Sequence, residues 1–512
     1  MQIIKSGMVV AFFTLISRIF GYIRDIFMAS YLGLHADSFA VAFRLPNTFR
    51  SLFAEGAFSA AFIPMFSSKL TTESKEDALK FASRVFSLLS LIVAFFVTLM
   101  IIFMPQVIEC LAPGFIKNSD KLILTISLSY FTIPYLFFIA LASLYVGVLN
   151  SCGKFAIASF LPIILNLVMI LAIKFLTPIA PSPSHALAYG VFLAGISQLG
   201  IIAFVAHKAS LQIKFTKILI DQDIRIMFKN MVPAIIGSGV VQINLAIDTI
   251  MASFFDGAAS VLYFADRLNQ FPLAIIGTAL GTVLLPTLSK QIRKKEFDQA
   301  QETQSKALEI SLFLTLPCAF ALAVIGHTLI SFLFERGNFG PEDTYKVANA
   351  LTALSIGLPA FVMVKIFTPR YFAQYDTSTP VRISIICIIL NILFSLTFIQ
   401  FFSYTGIALA TSLSAWCNVS LLYYFQHKRN MFRVEKNFII KIIKIIFACS
   451  FMSFVLILFE YYILQLLVYN YSLKLLIFVG EIVLGMSVYF LISYYIKIID
   501  LSFILKKWKN NG

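Results

Sequence analysis

Ser17-Arg18-Ile-Phe-Gly21-Tyr-Ile-Arg24-Asp25 runs through the middle of an otherwise apolar stretch from about Gly7 to Leu32. A charge at mid-bilayer depth costs about 2.5–3.5 kcal/mol on insertion scales, so it persists only where it faces a protein interior or a watery cavity. Two arginines there point to a membrane protein that handles an anion. At 100° per residue, Ser17, Arg18, Gly21, Arg24 and Asp25 fall within an arc of about 120°, which leaves the rest of the helix for lipid and packing. In the next apolar segment Arg44, Asn47, Arg50, Ser51 and Glu55 share an arc of about 140°.

The bulk composition agrees. The chain has 512 residues, 59% hydrophobic and 13% charged, too little polar surface for a soluble globule of that size. Mean hydropathy is +0.89. Lys5 precedes an apolar run, but arginines interrupt that run and no small-residue cleavage pattern closes it, so it reads as a retained first span rather than a secretion signal. Cys110, Cys152, Cys318, Cys387, Cys417 and Cys449 show no C-x-x-C spacing and read as small buried hydrophobes.

Hydropathy places about fourteen transmembrane helices, near 5–31, 37–67, 81–112, 122–150, 155–177, 185–207, 227–255, 258–289, 306–335, 344–372, 380–402, 405–427, 438–463 and 470–498. Lys and Arg concentrate in every second connection: Lys69 to Arg84, Lys208 to Lys229, Lys290 to Lys295, and Lys428 to Lys441. The positive-inside rule then sets both termini in the cytoplasm, together with the basic tail Lys506, Lys507 and Lys509. Topology accounts for the net charge of +15, and no binding motif accompanies the basic loops, so no nucleic-acid partner is expected.

Asp25-Ile-Phe-Met-Ala-Ser30 reads again as Asp248-Thr-Ile-Met-Ala-Ser253, an offset of 223 residues, and the same offset aligns Arg44-Leu45 with Arg267-Leu268. After one dropped residue, Pro64 aligns with Pro286 and Ser67 with Ser289. Each half starts on the same side of the membrane, so the repeat is parallel and sets a substrate path between two six-helix lobes. The expected division is 1–220, 221–430, and 431–512 for two extra helices and the tail. Chance matching among apolar segments is the competing explanation.

The charged positions admit two readings. Buried ion pairs, such as Arg24 with Asp25 or Asp248, would merely lock helices together. The alternative follows from an imbalance, because Arg18, Arg24, Arg50 and Arg267 outnumber Asp25, Asp248 and Asp266, leaving charge for a mobile anion that arginine forks match bidentately. His35, His185, His207, His327 and His427 have no metal-ligand spacing, and no Walker, G-x-S-x-G or G-x-G-x-x-G signature occurs, so neither an enzyme nor a cofactor is expected. Gly277 and Gly281 have the spacing of close helix packing.

These residues carry a resemblance. The first run quoted, then Asp37-Ser-Phe-Ala-Val-Ala-Phe-Arg44-Leu-Pro46-Asn47, Arg50-Ser-Leu-Phe-Ala-Glu55-Gly56-Ala-Phe58 and Phe62-Ile-Pro64, resemble the MurJ (MviN) lipid II flippases. Leu149-Asn150 with Phe155 and Pro162, Ala265-Asp266-Arg267-Leu268 with Phe271-Pro272, Glu335-Arg336-Gly337 with Phe339, and Asp376-Thr377 with Thr379-Pro380 extend the likeness along the chain. The resemblance implies an all-α polytopic protein of the multidrug/oligosaccharidyl-lipid/polysaccharide exporter superfamily in the bacterial cytoplasmic membrane. It implies two six-helix lobes around a central cationic cavity and two C-terminal helices shaping a groove for a lipid tail.

The implied cargo is lipid II, the undecaprenyl-pyrophosphate-linked disaccharide-pentapeptide, carried from inner to outer leaflet by alternating access. By motif position its substrate arginines are Arg18, Arg24, Arg50 and Arg267. Ser17, Asp25, Asp37, Arg44, Asn47, Glu55, Asp248 and Asp266 are supporting, gate or portal positions, and Arg44 stands where relatives often have Lys. Coupling to the membrane potential or to sodium, with Asp248 and Asn391 as sodium candidates, and association with the cell-wall synthesis machinery are further expectations. Competing readings are an exporter of another polyprenyl-linked saccharide, a drug or cation antiporter, a membrane glycosyl- or phosphotransferase, and a scaffold for wall enzymes. The antiporter would be expected to use carboxylates, and the transferase acidic metal-binding pairs in its loops.

Overall fold

In lipid a chain segment must satisfy its own N–H and C=O groups, so long apolar runs resolve into helices. The computed structural model describes residues 2–51, 57–154, 156–464 and 471–498. It is helical at every expected span, with no strand among the described residues. Glu55, Phe155 and the basic tail Lys506, Lys507 and Lys509 lie outside the described residues.

The α-helices in chain order are α1 Gln2–Leu32, α2 Asp37–Arg50, α3 Ala57–Thr72, α4 Lys75–Ile102, α5 Met104–Leu111, α6 Ser119–Thr132, α7 Tyr135–Ser151, α8 Ala156–Leu176, α9 Pro183–Lys208 and α10 Gln222–Ala252. They continue as α11 Ala258–Arg293, α12 Phe297–Val324, α13 Gly326–Phe334, α14 Pro341–Ser355, α15 Leu358–Ala373, α16 Ser378–Phe402, α17 Thr405–Lys428, α18 Lys436–Leu464 and α19 Tyr471–Tyr495. Among the described residues, 12 helical stretches are long and apolar enough to cross a membrane. That number is compatible with fourteen spans. One stretch, Phe12–Arg50, contains both α1 and α2, while α3 is 16 residues long and α10 falls outside the twelve.

Several expected spans are broken helices. The span at 81–112 is α4 and α5, that at 122–150 is α6 and α7, and those at 306–335 and 344–372 are α12 with α13 and α14 with α15. Phe103 and Ile325 take ψ values of 21° and 10°, outside the helical well, just before Pro105 and at Gly326. Pro134 and Gly357 occupy the other two breaks.

The breaks repeat. Helices α4 and α12 start at 75 and 297, α5 and α13 at 104 and 326, α6 and α14 at 119 and 341, α8 and α16 at 156 and 378, and α9 and α17 at 183 and 405, a constant offset of 222 residues. The sequence repeat is thus a repeat of supersecondary structure and not a coincidence of apolar composition.

The chain divides into two compact units, Met1–Ser260 with Arg336–Gly340, and Val261–Glu335 with Pro341–Gly512. This division follows packing, whereas the boundary at 220/221 follows the repeat. Helix α10, first of the second repeat, packs on α3 and α5 in unit 1. Its N-terminus is fixed there: Asp221 accepts from Ile224 N at 2.9 Å and pairs with Arg84 of α4, and Asp223 pairs with Lys69 of α3 at 2.8 Å. The Asp223 carboxylate holds the Lys69 ammonium above its ordinary range against the effect of burial, with Glu73 adding to it.

In unit 2, α16 packs on α17 and α12 on α15 around Ile366, Phe367, Tyr371 and Leu422. The C-terminal pair α18–α19 docks on α12: Lys441 bonds Glu309 at 2.7 Å, and Tyr489 Oη donates to the Phe313 carbonyl at 2.7 Å. Its outer face exposes Ile440, Ile443, Phe447, Phe454, Leu476 and Val483, the signature of contact with lipid.

Candidate functional site

The charges that decided the fold are held by α8. Arg24 is 4% exposed and Asp25 1%. Adjacent residues on a helix point 100° apart, so Arg24 must bend back to reach Asp25. It does so with Nε at 3.1 Å and Nη2 at 2.7 Å from the same carboxylate oxygen, while Nη1 donates to Asn166 Oδ1 at 2.9 Å. Asn166 in turn donates to the Ser17 carbonyl at 3.1 Å. The expected pair of Arg24 with Asp25 is present. Nothing in the local sequence singled out Asn166; its partner lies 142 residues away.

Arg18 is half-buried on the same helix and makes no ion pair among the described residues. On α2, Arg44 reaches across to α10, donating Nε to Thr249 Oγ1 at 3.0 Å and Nη2 to the Leu245 carbonyl at 3.2 Å. Arg50 donates to Asn47 Oδ1 at 3.1 Å, and Gln242 Nε2 of α10 donates to Ser51 Oγ at 3.3 Å. Asp248 is half-buried beside Thr249 on α10.

A second group gathers where α1 ends and α2 begins. Asp37 is fully buried. Its Oδ2 accepts from Lys121 Nζ of α6 at 2.6 Å and from Gly257 N at 2.8 Å, and its Oδ1 accepts from Ser260 N at 2.6 Å. It therefore caps the N-terminus of α11 from another part of the chain, satisfying amides that the helix itself leaves open. Lys121 also pairs with exposed Asp256 at 2.8 Å and lies over the Phe115 ring at 4.7 Å. Sequence reading singled out Asp37 but missed Lys121 and Asp256, which lie in unremarkable loop and helix-start sequence.

Two glycines complete this end. A Cβ on Gly114 would lie 2.2 Å from the Ser253 carbonyl oxygen, and Gly114 N donates to Ser253 Oγ at 3.0 Å. A Cβ on Gly337, which has φ +60°, would lie 2.3 Å from the Ser30 carbonyl oxygen. Asn338 N donates to that same oxygen at 2.8 Å. Ser30 and Ser253 end the repeated Asp-x-x-Met-Ala-Ser motif, and Gly114 and Gly337 are likewise 223 residues apart. Each half of the repeat thus clasps the motif of the other, crosswise.

In unit 2, Arg267 lies over the Tyr263 ring at 5.0 Å and donates to its hydroxyl at 3.1 Å, while Asp266 accepts from Gln270 at 2.5 Å. Asn391 is fully buried in α16 of this unit, whereas Asp248 belongs to unit 1. Gly277 lies against Lys365, but a Cβ on Gly281 would meet nothing within 4 Å, so only one member of that glycine pair serves helix packing. Among the described residues no group of three or more His, Cys, Asp and Glu is arranged to hold a metal ion. A fully buried cation that sequence reading passed over is Arg370 of α15, which donates Nη2 to the Met431 carbonyl at 2.8 Å.

Comparison with known proteins matches residues 28–478 to the family described as "Lipid II flippase MurJ". A probable lipid II flippase MurJ of Rickettsia prowazekii (strain Madrid E) is 40% identical over 504 residues, covering 98% of this chain and 99% of the relative. One from Rhizobium meliloti (strain 1021) is 34% identical over 524 residues, covering 100% and 97%. Among solved structures, a lipid II flippase MurJ in an inward closed conformation superposes with a TM-score of 0.77 at 27% identity, covering 96% of this chain and 98% of the other. An inward-facing multidrug resistance MATE family transporter of the MOP superfamily superposes with a TM-score of 0.70 at 12% identity, covering 82% and 97%, a likeness of fold.

Proposed function

The chain belongs to the MurJ family of lipid II flippases, and from that premise we propose that it carries the undecaprenyl-pyrophosphate-linked peptidoglycan precursor from the inner to the outer leaflet of the bacterial cytoplasmic membrane. Both termini then face the cytoplasm, and the end of unit 1 that holds Asp37, Gly114 and Gly337 faces outward. A family of transporters and a membrane-spanning helical fold favour transport over catalysis.

By motif position, Arg18, Arg24, Arg50 and Arg267 are the groups we assign to the pyrophosphate. The observation that carries this is Arg24, a guanidinium within the first membrane-length helix, held by Asp25 and Asn166 with its charge kept away from lipid. A fixed fork is suited to phosphate oxygens, and a pyrophosphate competes with Asp25 for it as a stronger, multiply charged acceptor. Ser17 holds Asn166 in place, while Arg44, Asn47, Asp248 and Asp266 steady the neighbouring helices. Asp37 acts at the outer end, where it ties α2 and α6 to the start of α11.

Transport proceeds by alternating access. The two crosswise glycine clasps and the Asp37 cap hold the outer end together while the head group enters from the cytoplasm, and their release delivers it outward. Moving net charge through the field is worth about 2.3 kcal/mol per elementary charge per 100 mV, enough for the membrane potential to drive the reset, with sodium as the other candidate drive. The cell-wall synthesis machinery is the natural recipient of the product. Reconstitution of the full chain in liposomes with fluorescent lipid II tests the reading: labelled head groups should move between leaflets only when the protein is present. Labelled lipid that stays in the leaflet where it was loaded overturns it.

A further inference from the structure

Two carboxylates lie in the C-terminal helix pair, outside the repeat and outside the residues assigned to the substrate. Glu481 lies on α19 ten residues after its start at Tyr471, about 15 Å along the helix and therefore near mid-membrane depth. It is 1% exposed, and its Oε2 has no hydrogen-bond partner among the described residues. The antiparallel register of α18 and α19 is fixed by their glycines: Gly480 lies against Phe459 and Gly485 against Leu456. That register sets Glu481 level with Glu460. Glu460 Oε1 accepts from Thr328 Oγ1 of α13 at 2.6 Å.

Among the described residues, the other elements around Glu481 offer no cation at that level. Helix α13 carries His327, whose side chain is exposed. The Glu309–Lys441 pair lies at the far end of α18, and Lys444 there donates to the Ile496 carbonyl. Tyr461 and Tyr462 of α18 are exposed, and Tyr489 of α19 is committed to the Phe313 carbonyl. The side chain of Lys474 lies outside the described residues.

An ionised carboxylate buried in an apolar setting beside a second one is strongly disfavoured, and the less costly state holds one proton between the two. Glu460 already has a hydroxyl partner in Thr328, whereas Glu481 Oε2 has none among the described residues. We propose that Glu481 and Glu460 form a proton-binding site in the C-terminal helix pair, with one proton taken from water and held on the Glu481 carboxyl. The ligand we propose is a proton rather than a metal cation, because one of the two carboxylates is occupied by a hydroxyl and no group of three or more His, Cys, Asp and Glu is gathered there among the described residues. Loss of the proton would leave two negative charges facing each other where α13, α18 and α19 meet. The site is independent of the substrate assignment, since its readout is spectroscopic.

The test is infrared spectroscopy of the full-length protein in lipid bilayers, titrated with alkali in the presence and absence of sodium. Wild type should show the carbonyl band of a buried protonated carboxyl at neutral pH, and Glu481→Gln should remove it. Glu460→Gln should keep the band but lose it at a pH lower by about one unit or more, because the neighbouring negative charge is gone. Should Glu481→Gln fail to fold, the wild-type titration and the Glu460→Gln shift decide the matter. A wild-type protein without the band, a band that survives Glu481→Gln, a Glu460→Gln titration that does not move, or a band abolished by sodium at constant pH would each overturn the proposal.

Discussion

Gly337 approaches Ser30 so closely that a methyl group in place of its hydrogen would sit 2.3 Å from the Ser30 carbonyl oxygen. The Glu335-Arg336-Gly337 motif and the Asp-x-x-Met-Ala-Ser motif, found separately along the chain, are therefore two sides of one contact. Gly337→Ala must push backbone from backbone and hold an L side chain at φ +60°, at a cost of about 1–3 kcal/mol. The expected result is a lowered melting temperature and slower lipid II flipping. Gly281→Ala, in open space on α11, serves as the control and should be neutral or slightly stabilising. Equal behaviour of the two variants would remove the clasp from the account.

Asp37 and Asp256 both pair with Lys121, but only Asp37 is buried and only Asp37 caps α11. Asp37→Asn leaves Lys121 with a single partner that is mostly in water and should cost about 3 kcal/mol with a tenfold or greater fall in flipping. Asp256→Ala, which removes an exposed partner, should stay within about 1 kcal/mol of wild type. Chemical denaturation and the liposome assay read both.

Arg24→Ala is expected to reduce flipping to background, and Arg24→Lys to rescue it poorly because an ammonium cannot keep the fork shared between Asp25 and Asn166. Asn166→Leu should lower flipping as well, through loss of orientation, with a smaller effect than Arg24→Ala. Wild-type rates in Arg24→Ala would remove Arg24 from the substrate site.

Arg44 makes single bonds to Thr249 and to a carbonyl, a role that a point charge can approximate. Arg44→Lys should retain at least half of the wild-type flipping rate, while Arg44→Ala should lower it severalfold. A fully active Arg44→Ala would mean that the link from α2 to α10 is dispensable.

Asp376 shows a sequence motif resolving into a cap. Its carboxylate accepts from Thr379 N at 2.9 Å, starts α16 and pairs with Arg429 at 2.6 Å. Burial pushes its carboxyl up, but the bonds from Thr379 and Arg429 outweigh this and hold it below the usual carboxylate range. A lowered folded-state value contributes stability that is present above the unfolded value near 3.9 and is lost as pH falls through the folded one. Protection against hydrogen exchange at the start of α16, taken relative to the intrinsic rate at each pH, should therefore be unchanged from neutral pH down to about pH 4 and fall only below it, and Asp376→Ala should abolish that acid step at a cost of about 1 kcal/mol. Protection that is lost on mild acidification near neutrality would contradict the assignment.

Span positions, the internal repeat and the arginine-bearing stretch of α1 were legible in the sequence. Each depends on local energetics that composition records: about twenty apolar residues cross the hydrocarbon, and a charge within them needs a partner or water. The repeat was legible because charged and proline positions recur at one offset, and helix starts at 75 and 297 or 183 and 405 keep it. Helix breaks at Phe103 and Ile325 were less legible, since a single turn of altered backbone leaves the hydropathy of the run unchanged.

Only the tertiary structure decided how those charges are used. Asn166 meets Arg24, Lys121 meets Asp37, and Glu481 comes level with Glu460 through helix packing between segments far apart in the chain, and no periodicity along one helix encodes that choice of partner. Packing also joined α10 to unit 1, because Asp221 and Asp223 reach Arg84 and Lys69 there, although the repeat counts α10 with the second half. Apolar burial is non-directional and readable from composition, whereas an ion pair or a glycine contact exists only at one distance and angle, which the folded chain alone supplies.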